Sequence, residues 1–133
     1  MRYEEKPQIT EQEIREAMDF STAQVERNLP EFTTKFQKAY SENGFYAPTE
    51  NVDWTTGFWT GEIWLSYEDT GKDIYKKAGE IQIDSFLNRI ENKIEVDHHD
   101  MGFLYSPSCV AGYKLTGNET GRKAAILAAD QLI

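Results

Sequence analysis

Two short segments hold the residue types that chemistry would need. One is Asp53-Trp54-Thr55-Thr56-Gly57-Phe58-Trp59-Thr60-Gly61, and the other is Asp97-His98-His99-Asp100-Met101-Gly102-Phe103-Leu104-Tyr105. Aromatic rings beside carboxylates and imidazoles suit a sugar, whose apolar C–H faces stack on the rings while its hydroxyls bond to the polar groups. Trp54, flanked by Asp53 and Thr55, is the stacking candidate. Trp59 and Trp64 read as core, because burying an indole removes a large apolar area from water. A metal is the competing use for Asp97, His98, His99 and Asp100. It is disfavoured because adjacent histidines in a loop diverge, no i, i+4 pair exists and the chain has only 2 histidines. Cys109 reads as a buried structural thiol, Ser106 and Ser108 lack a hydrolase elbow, and Gly57 and Gly61 do not make a phosphate loop.

Both segments precede stretches with helical patterning. Thr10-Glu11-Gln12-Glu13 has the form of a capping box, and behind it Ile14, Ala17, Met18, Ser21 and Val25 make one stripe of a helix expected to end near Asn28-Leu29-Pro30. Residues 31 to 39 are expected to add a short helical piece, and 41 to 51, rich in turn formers, to be a loop. Gly57 to Tyr67 is apolar on more than one side, as in a helix with little solvent exposure, and should stop at Thr70-Gly71. Asp73 is the expected cap of the next helix, which runs to about Ile90. A loop over Val96 to Met101, a helix over Pro107 to Leu115 and a last helix from Glu119 complete the reading.

A repeat underlies this order. Tyr67, Thr70, Gly71, Lys77, Ala78 and Asp84 recur as Tyr113, Thr116, Gly117, Lys123, Ala124 and Asp130, each pair 46 residues apart. One constant offset at the same helix end and the same following helix describes a duplicated helical hairpin. The offset also carries Trp54 onto Asp100, so the two segments should face one end of the same array. Stacked hairpins bury their apolar faces only against their neighbours. Ala124 to Ile133 runs on with no glycine, proline or polar cap, so the expectation is a piece of a larger ring, able to self-associate through its open end.

The chain has 133 residues, 39% hydrophobic and 13% aromatic, enough for the core of one domain. Its net charge of −9, without a basic cluster, makes nucleic acid and anionic membranes poor partners. The same charge would repel an acidic sugar at long range, so a uronate site would need local donors. No apolar run approaches the roughly 20 residues that span a bilayer. With one cysteine and no apolar signal core in Met1-Arg2-Tyr3-Glu4-Glu5-Lys6, the expected location is the cytoplasm.

Trp54-Thr55-Thr56-Gly57-Phe58-Trp59-Thr60-Gly61, Trp64-Leu65-Ser66-Tyr67-Glu68 and His98-His99-Asp100-Met101-Gly102-Phe103-Leu104-Tyr105-Ser106-Pro107-Ser108 resemble the unsaturated glucuronyl hydrolases of glycoside hydrolase family 88. The likeness runs from about residue 10 and covers the N-terminal portion of that family. It implies an all-α fold, a partial six-hairpin α/α toroid over residues 1–133, with no metal or organic cofactor. The implied partner is an unsaturated uronate-containing oligosaccharide left by polysaccharide lyases on glycosaminoglycans. The family reaction hydrates the double bond between carbons 4 and 5, so the carboxylate spacing that separates retaining from inverting glycosidases does not apply. By resemblance, Asp100 is one of two essential aspartates, His99 and Phe103 line the pocket and Trp54 stacks on the sugar. The proton donor of the family lies in a later segment, which implies little activity for these 133 residues alone. A non-catalytic helical-repeat sugar-binding module is the alternative. Relatives acting on unsaturated rhamnogalacturonan are the nearest neighbouring family.

Overall fold

The computed structural model describes residues 8–133, so the Met1 to Lys6 stretch lies outside the described residues. Among the described residues six α-helices dominate: α1 (Glu11–Phe32), α2 (Thr56–Thr70), α3 (Asp73–Glu91), α4 (Met101–Tyr105), α5 (Ala111–Thr116) and α6 (Glu119–Gln131). A π-helical stretch, Ser106–Val110, joins α4 to α5, so the three form one continuous rod. A small antiparallel ribbon pairs β1 (Phe36–Gln37) with β2 (Pro48–Thr49).

The 46-residue repeat is present in three dimensions. α2 ends on Gly71 (φ +67°) and the α4–α5 rod on Gly117 (φ +72°), and their amides donate to the carbonyls of Tyr67 and Tyr113. Thr70 Oγ1 donates to Ser66 O and Thr116 Oγ1 to Gly112 O, each at 2.7 Å. Each glycine hands over to a second helix that packs back on the first, α3 on α2 and α6 on the rod. Only a residue without a Cβ adopts this left-handed closure at no steric cost.

The core lies between the two hairpins. Trp64, Ile63, Tyr75, Ile83, Phe86, Leu104, Cys109 and Ala124 are buried there, and the Trp64 indole is seated on Gly79 and Gly112, where a Cβ would meet its ring atoms at 2.5 and 2.8 Å. Gly57 and Gly61 bring α2 against α4 and the π-helical stretch, with the Phe103 and Leu104 carbonyls opposite the first and Pro107 opposite the second.

One sequence expectation holds at the start of α1, and several others need correcting. The capping box at Thr10 is formed, with Thr10 N–H donating to Glu13 at 2.8 Å and Glu13 N–H to Thr10 Oγ1 at 3.2 Å. α1, however, passes through Pro30 to Phe32. Proline there removes only one bond of the last turn, while burial of Leu29 and Phe32 holds the continuation in place. The buried face is Thr22, Val25, Leu29 and Phe32, and Ile14 and Met18 are exposed. The first half of α1 is tied instead by the fork of Arg15 on Asp69, at 2.8 and 2.6 Å. Of residues 31 to 39, Glu31 and Phe32 close α1 and Phe36–Gln37 form a strand rather than a separate helical piece, and the expected loop at 41 to 51 holds its partner. Asn43 and Gly44, both at positive φ, make the tight turn of the kind that matches strand twist. Lys72, not Asp73, is the residue before α3, and Asp73 sits in its first turn, where a carboxylate suits the helix dipole. The rod starts at Met101, six residues ahead of the expected Pro107, because the π-helical stretch accommodates the proline inside the rod.

Candidate functional site

The N-terminal ends of α2 and α4 lie side by side, and each brings one of the two chemistry-bearing segments. Trp54 precedes α2, Phe58 is in its first turn and Phe103 is in the first turn of α4. The three rings form one exposed cluster. Trp54 and Phe58 centroids are 6.2 Å apart and near perpendicular, Trp54 and Phe103 are 6.3 Å apart, and Phe58 and Phe103 are 5.5 Å apart. They remain 45%, 42% and 50% exposed, so the cluster is an apolar patch open to solvent.

Asp100 stands immediately before α4, its carbonyl accepting the Phe103 amide at 2.9 Å. Its carboxylate is 21% exposed, and His99 Nε2 lies 3.4 Å from Oδ1 while the His99 ring is 93% exposed. Of the residues predicted from sequence, Trp54, Phe103, Asp100 and His99 therefore share one end of the fold, with Phe103 linking the aspartate turn to the indole. Among the described residues no group of three or more His, Cys, Asp and Glu side chains is placed to hold a metal ion.

Sequence reasoning missed three residues. Phe58 completes the ring cluster, and its place one residue after a close-approach glycine was the available signal. His98 is the better-tied histidine: its Nδ1 accepts the Asp100 amide at 3.2 Å, which leaves Nε2–H to donate to Glu95 O at 3.0 Å. Arg89 is fully buried on α3, and its guanidinium reaches the loops ahead of both helices. It was legible only as an arginine on the same face as Gln82, Phe86 and Ile90. Burial pushes its pKa down, opposed by the nearby Tyr105, Glu95 and Asp53, and burial pushes that of the Tyr105 phenol up.

Asp53 is structural in this setting. Its Oδ1 accepts the Trp54 amide at 2.8 Å and its Oδ2 the Ala39 amide at 3.3 Å, fixing the indole's backbone to the ribbon side of the fold. On that side a cleft of about 400 Å³ opens between Phe58, Trp59, Tyr46, Thr55 and Glu62. The Thr55 hydroxyl oxygen is buried with no hydrogen-bond partner among the described residues.

No protein-family model matches the chain. It is 42% identical over 132 residues, 99% of its own length and 33% of the relative's, to a protein of Streptococcus pneumoniae named unsaturated chondroitin disaccharide hydrolase. It is 40% identical over 107 residues, covering 80% of the chain and 28% of the relative, to the unsaturated glucuronyl hydrolase of a Bacillus species. Its fold matches a crystal structure of unsaturated glucuronyl hydrolase from Streptococcus agalactiae with a TM-score of 0.94 at 38% identity, over 98% of this chain and 33% of that one. Another structure of that hydrolase, an aspartate-to-asparagine variant complexed with dGlcA-GalNAc6S, matches equally well. The chain thus spans about a third of the length of these relatives, the N-terminal third, and the all-α partial toroid is the fold they share.

Proposed function

We propose that these 133 residues form the first part of the catalytic domain of an unsaturated glucuronyl hydrolase, which removes the unsaturated uronic acid from lyase-generated glycosaminoglycan oligosaccharides. The observation that carries the reading is the meeting of three exposed rings with an anchored aspartate at one end of a fold shared, at about 40% identity, with such enzymes.

In this reading Trp54 stacks on the sugar and Phe103 and Phe58 close the apolar wall. Asp100 holds sugar hydroxyls and polarises the site, and His99, its ring exposed beside Asp100, adds a donor that the uronate needs in an acidic protein. Protonation of carbon 4 of the enol ether, addition of water at carbon 5 and collapse of the hemiketal release the rest of the oligosaccharide. A general acid must lie within hydrogen-bond reach of carbon 4 with a suitable pKa, and one carboxylate does not serve as both anchor and donor. The donor is therefore assigned to the two thirds of the relatives' length that this chain does not span. A cytoplasmic location belongs to the same proposal, supported by the single unpaired Cys109.

Incubation with an unsaturated chondroitin disaccharide, following loss of the enol ether's ultraviolet absorbance, tests the assignment. The expected outcome is negligible turnover together with sugar binding measured by titration calorimetry and weakened about tenfold, or roughly 1.4 kcal/mol, by Trp54→Ala. Ready turnover abolished by Asp100→Asn would place the proton donor within these residues. A folded chain that binds no sugar would remove the site.

A further inference from the structure

We infer that Arg89 is a positioning residue that sets Trp54 against Asp100, by tying the loop before α2 and the loop before α4 to one guanidinium on α3. The inference rests on the reading of Trp54 and Asp100 as site residues, and its geometry stands independently of any ligand.

Every face of the guanidinium is used. Toward the first loop, Nη1 donates to Asn51 Oδ1 at 3.0 Å, to Asp53 O at 2.9 Å and to Thr56 Oγ1 at 3.2 Å, and Nη2 to Val52 O at 3.3 Å. Toward the second, Nε donates to Ile94 O at 3.1 Å and Nη2 to Glu95 O at 2.7 Å. The fork spans two segments, 51–56 and 94–95, far apart in sequence, a task that the single ammonium of lysine does not perform. Thr56 Oγ1 also donates to Asn51 Oδ1 at 2.7 Å, so the first loop is closed on itself as well as on Arg89.

From each loop the connection continues to the site. Asp53, whose carbonyl Arg89 holds, is the neighbour of Trp54. On the other side, Glu95 O accepts from both Arg89 Nη2 and His98 Nε2, and His98 Nδ1 accepts the Asp100 amide. A chain of three hydrogen bonds thus runs from α3 to the aspartate, with His98 held in its Nε2–H tautomer. Lys93 and Glu95 have φ values of +53° and +45°, a left-handed backbone that non-glycine residues adopt at a cost. That backbone turns the Ile94 and Glu95 carbonyls onto Arg89. Filling a core would not require this arrangement, since an apolar side chain of similar volume fills space without bending two loops toward itself.

Nuclear magnetic resonance of the ¹⁵N-labelled chain tests the clamp without a ligand. In Arg89→Lys the Trp54 indole N–H and the Asp100 amide are expected to shift together, and amides from 52 to 54 and from 98 to 103 to exchange about tenfold faster or more, while the α2, α3 and α6 core amides keep their protection. In His98→Gln the Asp100 amide is expected to move and the Trp54 indole to stay, which a general loss of packing would not produce. Uniform loss of protection across the core in a folded Arg89→Lys chain, or an unmoved Asp100 amide in His98→Gln, overturns the inference. If Arg89→Lys does not fold, the His98→Gln result decides alone. Titration of the wild type with unsaturated chondroitin disaccharide separates the two readings: signals that ignore the sugar but keep their coupling through Arg89 refute the sugar site and leave the clamp standing.

Discussion

At Gly57, where α2 meets α4, there is no room for a side chain. A Cβ would lie 2.1 Å from the Phe103 carbonyl oxygen, 2.5 Å from that of Leu104 and 2.7 Å from the Leu104 Cα. All three are backbone atoms, so no rotamer change relieves the contact. Against a normal separation of about 3.5 Å, Gly57→Ala must push the helices more than about 1 Å apart. Overpacking costs about 1–3 kcal/mol, and backbone against backbone belongs at the upper end. The better helix propensity of alanine offsets about 1 kcal/mol, leaving a net loss of about 2 kcal/mol. For 133 residues the unfolding entropy is about 0.28 kcal/mol/K, so the melting temperature should fall by about 7 °C. Gly102→Ala is the matched control. Among the described residues nothing lies within 4 Å of its Cβ position, and the gain of about 0.5–1 kcal/mol should raise the midpoint by about 2–4 °C. Circular dichroism melts measure both, and the near-ultraviolet signal of Trp54, Phe58 and Phe103 should weaken in Gly57→Ala because Phe58 and Phe103 move apart. A midpoint for Gly57→Ala within about 1 °C of the wild type would refute the close approach of α2 and α4.

The repeat predicts that Gly71→Ala and Gly117→Ala cost alike, about 1–2 kcal/mol each, because both glycines are left-handed with nothing within 4 Å. Calorimetry giving a loss for one and none for the other would break the equivalence. Cys109 is fully buried and burial pushes its thiol up to about 12, so a disulfide reagent at pH 8 should leave the native chain unlabelled and label one thiol after unfolding; rapid native labelling would contradict that placement. The carboxyls of Glu13, held by the Thr10 backbone and hydroxyl, Glu26, held by Lys72 and Tyr75, and Asp69, held by Arg15, lie below their ordinary values. Lowered folded values contribute stability that is present above the ordinary carboxylate range and lost as pH falls through the lowered ones. Melting temperature should therefore hold from neutrality to about pH 5 and decline below about pH 4, and a flat profile down to pH 3 would contradict the three interactions.

How much of this was legible depended on range. The capping box, the glycine closures and the 46-residue offset are local, so residue type fixed them and the structure repeats them atom for atom at Thr70 and Thr116. The ribbon was missed because Asn43-Gly44 was read only as a loop former, without the strands that its positive φ values serve. The covered face of α1 was misassigned because periodicity names a stripe but not its partner, and Ile14 and Met18 continue a pattern that α2 buries only from Thr22 onward. The candidate site followed the same rule. Trp54, His99, Asp100 and Phe103 stand in two contiguous motifs, whereas Arg89 acts through carbonyls of loops distant in sequence, which no residue type announces.

The motif residues acquire a physical meaning once the two segments are opposed. Pro107 has no N–H to give the Phe103 carbonyl four residues earlier, and the rod widens there into its π-helical stretch. That carbonyl faces Gly57, and the absent Cβ lets α2 approach until Phe58, the next residue, meets the Phe103 ring. Proline on one helix and glycine on the other thus produce a contact that neither would make alone, and its product is the aromatic wall. The aspartate turn begins three residues before Phe103, and its amide is held by His98, so the same contact that builds the wall sets its distance from the carboxylate. Replacing Pro107 with alanine should restore a donor to Phe103, straighten the rod and separate Phe58 from Phe103 while Asp100 keeps its bond to His98. A weakened near-ultraviolet signal of Phe58 and Phe103 without a shift of the Asp100 amide is the expected signature. An unchanged near-ultraviolet spectrum in that variant would show that the wall does not depend on the proline.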